Sequence, residues 1–301
     1  MSLVAAVDIG GTTIKGALVD SSFKIIAEAT APTPRADSTG RETVRVIEQL
    51  VRTLSEQGRV DAIGLGIPGT LDEKNRIVRW AGNLGWKDLA IGDLLHDQLN
   101  LPIALGHDVR AGALAEMRAG AAKDKNDAIF IAIGTGIAAG LIIDGLIRSA
   151  SGYAGEIGHV DVGHSYRCVC GKSGCLEAIS SALAISTAYA NHSGNGAISA
   201  DQVVSLANAG DLVASKVWIE ALTALAKACE ILITVLAPEV IVFGGGVSKA
   251  GEALTVPISH MLDQLLTFQS RPELRIAHFG SQAGMIGCAM MAFDLIPGTA
   301  L

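Results

Sequence analysis

Apolar runs alternate with turn signals and amphipathic stretches along most of this chain. Leu3–Val7 and Ala17–Val19 are apolar and flank Asp8-Ile-Gly-Gly-Thr-Thr-Ile-Lys15, so residues 1–30 read as a strand meander with a tight glycine turn. Pro32-Thr33-Pro34 and the polar residues up to Gly40 predict a loop. Glu42–Gln57 carries helical periodicity and stops at Gly58, and Ala62–Ile67 is a buried strand ended by Pro68-Gly69. A short helix follows at Asp93–Leu99, a strand at Pro102–Leu105, and a helix at Asp108–Ala119. Residues 178–190 and 199–236 are mainly helical around a loop at Asn191–Gly196. Val240–Phe243 and Arg275–His278 read as strands and Met285–Phe293 as a last helix.

The opening pattern recurs. Ala128–Ile133 is apolar, then come Gly134-Thr135-Gly136, the apolar Ile137–Ile143 and the hairpin signal Asp144-Gly145. Gly11-Thr12 matches Gly134-Thr135, and Asp20 matches Asp144 after a one-residue slip. A third glycine turn, Gly244-Gly245-Gly246, follows Val240–Phe243. Strands alternating with helices in two related halves predict an α/β fold with mixed sheets flanked by helices. The expected domains are residues 1–120 and 121–301, with the last helix, about 285–295, packing back on the first.

Glycines between two strands let backbone N–H groups approach an anion. Thr12 and Thr13 add hydroxyls and Lys15 a cation, while Asp8, at a strand end, is placed to hold Mg²⁺ or its water. The alternative for this stretch alone is a hairpin with a solvated Asp8. The second and third glycine turns favour two similar domains gripping a nucleotide in the cleft between them.

With 301 residues, half of them hydrophobic, the chain can fill two cores. A formal charge of −7 argues against general nucleic-acid binding. The longest uncharged run, Ala128–Ile143, is short for a membrane span and broken by glycines, and the N-terminus lacks a charged leader, so a cytoplasmic protein without a membrane partner is expected.

Five cysteines bring in further chemistry, because Cys168, Cys170 and Cys175 fall within one short segment. Three thiolates and one imidazole complete a tetrahedral Zn²⁺ shell with no open position, which makes the metal structural. The preferred fourth ligand is His159, with His164 as competitor, and Gly171 and Gly174 permit the sharp reversals such a site needs. Cys229 and Cys288 sit among apolar helical neighbours and read as core residues. Glu156, three residues before His159, and Glu177, two after Cys175, would be fixed by the metal as acceptors for a polyol or sugar; the alternative is two surface carboxylates.

Together, Glu156-x-x-His159 … Cys168-x-Cys170-Gly171-x-x-Gly174-Cys175-x-Glu177 and Asp8-Ile-Gly-Gly-Thr-x-x-Lys15 resemble the ROK family of bacterial sugar kinases and regulators, within the actin-like ATPase superfamily. The resemblance spans nearly the whole chain. It implies two actin-like (ribonuclease H-like) domains with ATP and sugar in the interdomain cleft. It also implies that Gly10, Gly11, Thr12 and Lys15 form a first phosphate loop with Asp8 near Mg²⁺. Gly134, Thr135 and Gly136 would form the second, with Gly244, Gly245 and Gly246 against the adenosine. Asn83, in Gly82-Asn83-Leu84-Gly85-Trp86, matches the family's sugar-binding asparagine, and Asp108 its catalytic base. Glu156, His159 and Glu177 match sugar contacts, with His159 also on zinc. Repressors of the family carry an N-terminal DNA-binding domain; Asp8 lies so near the start that a stand-alone kinase is expected. Dimers are usual in the family, which implies a homodimer.

Two positions depart from the family pattern. His107 stands where an asparagine usually touches the sugar, and Ala138-Ala139 where glycines usually approach the phosphates. The expected reaction is transfer of the ATP γ-phosphate to a hexose hydroxyl, with Asp108 as base and glucose 6-phosphate as product. At an ordinary pKa of about 3.9 the carboxyl of Asp108 is ionised at neutral pH; the alternative role is a plain helix cap. Other sugars of the same family, N-acetylmannosamine, N-acetylglucosamine or fructose, are the alternatives within enzymes. A non-catalytic sugar sensor is the alternative outside them, and an actin-like filament ATPase has no use for the cysteine cluster. Trp86 reads either as a pocket residue or as core.

Overall fold

The computed structural model describes residues 2–298. Its first part runs β1 (Leu3–Ile9), β2 (Thr13–Asp20), β3 (Ile25–Pro32), α1 (Arg41–Ser55), β4 (Ala62–Ile67), β5 (Thr70–Asp72), β6 (Ile77–Ala81), β7 (Trp86–Leu89), α2 (Ile91–Leu99), β8 (Ile103–His107) and α3 (Asp108–Ala119). The chain continues with β9 (Ala128–Ile133), β10 (Ile137–Ile143), β11 (Leu146–Arg148), α4 (Glu177–Ser180), α5 (Ala182–Ser193), α6 (Ala200–Asn208) and α7 (Leu212–Leu236). It ends with β12 (Val240–Gly244), α8 (Glu252–Leu265), β13 (Glu273–Ile276) and α9 (Ala283–Phe293).

Two compact units result. The first holds the residues up to Ala115, residues 147–154 and those from Gln282 on; the second holds Glu116–Leu146 and Gly155–Ser281. The chain therefore changes unit inside α3, which differs from a division at residue 120, as does the placing of residues 147–154. Each unit is built on one five-stranded sheet, and the two sheets share one plan: β3-β2-β1-β4-β8 and β11-β10-β9-β12-β13. In the first, β1 pairs antiparallel with β2 and parallel with β4, which pairs parallel with β8. In the second, β9 pairs antiparallel with β10 and parallel with β12, which pairs parallel with β13. The repeat seen along the sequence is thus a repeat of architecture.

In the first unit, β1 and β4 are apolar on both faces and almost wholly buried. One face is covered by α1, whose stripe Val44, Ile47, Leu50, Val51 and Leu54 is buried. Helix α9 packs on β1, β4 and β8. Its approach leaves no room at Gly64, where a Cβ would collide with the Cys288 carbonyl. In the second unit the long helix α7 buries twelve residues from Ala214 to Ile233 in a core shared with β9, β12 and α8.

Two elements exceed the sequence reading. Residues 70–89 form a separate three-stranded sheet, β5-β6-β7. Helix α8 contains Pro257, which lacks the N–H an interior position needs, and the helix is held instead by buried Leu254, Ile258 and Leu262. The last strand begins at Glu273, pairing Val240–Phe243 in register, two residues before the expected Arg275.

Candidate active site and metal-binding knuckle

In the first unit, β1 delivers Asp8 to the row where it lies opposite Lys15 of β2 and Gly66 of β4. Strand β8 ends one pair further on, at His107 opposite Ile67, so Asp108 opens α3 directly above that row. A Cβ on Gly66 would lie 3.6 Å from the Asp108 Cα and 2.8 Å from the Cys288 sulfur. The two carboxylates therefore share one crowded neighbourhood. Burial first, and the Asp108 charge second, push Asp8 up from 3.8 to about 6, against the pull of Lys15. Burial also raises Asp108, against the Val109 N–H and the Arg110 charge. Asp108 thus departs from the ordinary carboxylate expected of it, although a third of its side chain (33%) still meets solvent.

His107 is buried, and its Nδ1 lies 3.0 Å from Asp108 Oδ1. Both atoms accept from Val109 N, at 3.2 and 2.8 Å. Burial, then the Arg110 charge, lower the imidazole from 6.5 to about 4. His107 is therefore neutral at pH 7, and the contact with Asp108 is no ion pair.

The first glycine turn closes through Gly10 N to Thr13 O at 3.0 Å. Thr33 braces it: Thr33 Oγ1 donates to Gly10 O (2.6 Å) and Thr33 N to Thr12 O (3.0 Å). Gly11, Thr12 and Lys15 are exposed. The fold brings Asn83 to this turn, its side chain 3.6 Å from where a Gly11 Cβ would stand. Trp86, by contrast, is core: it is 2% exposed and its indole N–H donates to Asp37 O at 2.8 Å.

In the second unit, Gly134–Gly136 forms the β9–β10 turn, closed by Gly134 N to Gly136 O (2.9 Å) and tied to the start of α5 by Ala182 N to Gly134 O (2.8 Å). Gly244 pairs with Ala132, so the third glycine turn lies beside the second at the ends of neighbouring parallel strands. A Cβ on Gly245 would stand 2.7 Å from the Ile133 carbonyl carbon. Gly246 is exposed. Of the two alanines that replace glycine in the family pattern, Ala139 is buried in the unit's core, so its methyl faces packing. Glu177 opens α4 and its Oε2 accepts Ile137 N at 2.9 Å, which gives this carboxylate a backbone partner at the second turn. Thr135 and Glu177 also line a cavity of about 250 Å³ with Tyr166, Ser181 and Thr187.

The ligand atoms of His159, Cys168, Cys170 and Cys175 all lie within 4.8 Å of one another. His159 Nδ1 is 3.7 Å from Cys168 Sγ, and Cys170 Sγ is 3.6 Å from Cys175 Sγ. A tetrahedron of sulfurs about 2.3 Å from a central Zn²⁺ has edges of about 3.8 Å, so the donor set matches in chemistry and in size. Burial and the neighbouring thiols push Cys175 up to about 12, a cost that a central dication reverses. The knuckle turns through Cys168 N to Lys172 O (2.9 Å) and Gly171 N to Cys168 O (3.0 Å), with Gly171 and Gly174 at φ 92° and 89°. His164 stands outside the quartet: its Nε2 meets Cys175 O at 3.0 Å and its Nδ1 accepts Tyr166 N. Glu156 directly precedes the 3₁₀ turn Ile157–His159 and is half-buried.

This geometry has close counterparts. The sequence matches the profile of the ROK family over residues 4–294. The chain belongs to the ROK family. A glucokinase of Halalkalibacterium halodurans is 34% identical over 93% of this chain and 92% of its own length. A glucokinase of Thermotoga maritima is 30% identical over 97% of this chain and 98% of its own. Among solved structures, the ROK family glucokinase of Streptomyces griseus, in complex with glucose and AMPPNP, has TM-score 0.86 and 30% identity, covering 97% of this chain and all (100%) of that one. The duplicated five-stranded plan is the α/β architecture of these ROK kinases.

Sequence reasoning missed four residues around the first-unit site. Thr33 showed only as a threonine between two prolines. Cys288 read as core, which it is at 0% exposure, yet it touches the Asp8–Asp108 neighbourhood. Arg110 and Glu73 form a pair, Nε to Oε1 3.0 Å, with Arg110 buried. A buried arginine in the apolar run after Asp108 was the available signal; its partner, 37 residues earlier, was not legible.

Proposed function

We infer that this protein is an ATP-dependent sugar kinase that phosphorylates a hexose, with glucose 6-phosphate as the favoured product. The observation that carries the reading is full-length likeness to glucokinases, in sequence and in structure, in a chain that keeps a carboxylate at position 108. Asp108 accepts the proton of the sugar hydroxyl as that oxygen attacks the γ-phosphorus and the bond to the ADP oxygen breaks. A raised pKa suits a base, since it strengthens proton acceptance.

Asn83, His107, Glu156, His159 and Glu177 are assigned to the sugar. Neutral His107 offers an imidazole where an amide serves in relatives, a group that can still donate or accept a hydrogen bond, with a different reach. Gly10, Gly11, Thr12, Lys15, Gly134, Thr135 and Gly136 are assigned to the phosphates of ATP, and Gly244, Gly245 and Gly246 to its adenosine. Asp8 is assigned to Mg²⁺, a hard cation that prefers carboxylate oxygen and, when bound, neutralises phosphate charge. His159, Cys168, Cys170 and Cys175 are assigned to one structural Zn²⁺.

Among the described residues no helix is long and apolar enough to cross a membrane. The reading places the enzyme in the cytoplasm, where ATP and free hexose meet, and as a homodimer, the usual state of its family. ADP release measured against a panel of hexoses and N-acetylhexosamines with ATP and Mg²⁺ tests it. Sugar binding without sugar-stimulated ADP release would assign the protein to sensing instead.

A further inference from the structure

Arg110 is 3% exposed, yet its guanidinium is not fully used. Nε donates to Glu73 Oε1 at 3.0 Å and Nη1 donates to the Gly152 carbonyl at 3.3 Å. Nη2 is buried and has no hydrogen-bond partner. Buried charged donors are rarely left unmade, because they give up water without replacement. Such an orphan in a site marks a place where a ligand atom belongs.

The two contacts that are made also fix the group. Glu73 comes from the β5–β6 turn and Gly152 from residues 147–154, both in the first unit. Gly152 is pressed on β5, where a Cβ would lie 2.7 Å from Leu71 O. A planar guanidinium pinned at two of its three nitrogens has its third set in direction. Arg110 is two residues from Asp108, and its charge acts on both Asp108 and His107. The free donor therefore belongs to the neighbourhood of the assigned base. Glu73 is only partly buried (34% exposed), so the pair is a support reaching inward from the surface.

We propose that Arg110 is a substrate-binding donor: held by Glu73 and Gly152, it gives its Nη2–H to an oxygen of the bound substrate. A guanidinium has donors only, so its partner must be an acceptor oxygen. Two substrates of the reaction present one: the sugar, through a hydroxyl, and ATP, through its terminal phosphoryl group. The proposal rests on the kinase reading and deepens it by adding a contact to the same site.

The test compares the full-length zinc-loaded parent with Arg110→Lys and Arg110→Met. Lysine keeps a cation for Glu73 but lacks the fork that also reaches Gly152 and the ligand; methionine removes every donor. Two probes are titrated by calorimetry, each without the other: the sugar the parent phosphorylates, and AMPPNP with Mg²⁺. The expected result for Arg110→Lys is a loss on the order of tenfold or more for one probe, the size of a charged hydrogen bond, with the other unchanged. Loss for the sugar alone identifies a sugar oxygen, and loss for AMPPNP alone identifies the phosphoryl oxygen. Unchanged affinity for both, or equal loss for both together with a lower melting temperature, overturns the proposal and leaves Arg110 a structural clamp. If Arg110→Met fails to fold, Arg110→Lys decides. A parent that turns over no sugar with ATP defeats the kinase reading itself, an outcome seen before any variant is made.

Discussion

The Glu177 carboxylate accepts the Ile137 backbone N–H at 2.9 Å, joining the exit of the cysteine knuckle to the second glycine turn. Cys175 lies two residues before Glu177, and Gly136 one residue before Ile137. A metal that fixes Cys175 thus also fixes the turn assigned to phosphate. The link explains how a metal with no open position can matter for catalysis: it sets the position of a carboxylate and, through it, of a backbone loop.

Removing the metal should therefore affect more than stability. Cys175→Ser, or exhaustive chelation, is expected to take zinc from one per chain to none and to lower the melting temperature. It is also expected to weaken AMPPNP binding, because the Glu177–Ile137 bond loses its anchor. Metal analysis, calorimetric melting and nucleotide titration on one sample check this. A zinc-free protein with the parent's melting temperature and nucleotide affinity would refute the link.

Asp8 is a carboxyl whose pKa rises on folding, from 3.8 to about 6. Its charged form is the disfavoured one, so the stability it contributes is fully present below 3.8 and is lost as pH rises through about 6. At neutral pH the penalty is ~3 kcal/mol at most, from 1.36 kcal/mol per pH unit. Asp8→Asn is expected to be more stable than the parent near neutral pH in Mg²⁺-free buffer, with the difference vanishing in acid. Urea unfolding across pH measures it; an Asn variant less stable at neutral pH contradicts the burial argument.

The pH dependence of turnover follows from Asp108. Burial raises its pKa, so it takes up a proton, and ceases to act as base, at a pH above that of an ordinary aspartate. The acid limb of kcat/KM is expected above 3.8, the unshifted value. His107, lowered to about 4, stays neutral through the working range and adds no limb near 6.5. A rate profile at saturating Mg²⁺ checks both; a limb near 6.5 that disappears in His107→Asn would contradict the neutral imidazole.

Helix α9 depends on bare backbone beneath it. Gly64→Ala sets a methyl into the Cys288 carbonyl, and Gly287→Ala sets one into the Ala111 carbonyl. Each is expected to destabilise the first unit by about 3 kcal/mol, the upper range for overpacking a core. Denaturant midpoints measure the loss, and a neutral Gly64→Ala would show that α9 shifts freely on β4.

What the sequence made legible was local. Asp8–Lys15, Gly134–Gly136 and Cys168–Cys175 declare themselves because their chemistry lies within a few residues, and their periodic flanks fix the strands around them. The three-stranded sheet β5-β6-β7 is short and half-exposed, so it lacks the apolar run that marks β1 or β9. Pro257 masked α8, where packing outweighs one missing hydrogen bond. The partners of Arg110 and Thr33 depend on chain segments 37 and 23 residues away, a proximity that no local pattern encodes. His159 and His164 likewise differ only in space: both are near the cysteines in sequence, but His159 is in the quartet and His164 is not.

The central claim is that Asp108 activates a sugar hydroxyl toward ATP. Its most direct test is sugar-dependent ADP release by the parent and by Asp108→Asn, with sugar affinity and zinc content measured on the same preparations. The expected result is glucose-stimulated turnover in the parent and a drop in kcat on the order of a hundred- to ten-thousandfold in the variant, with glucose binding and zinc retained. Near-parental kcat in Asp108→Asn would contradict it.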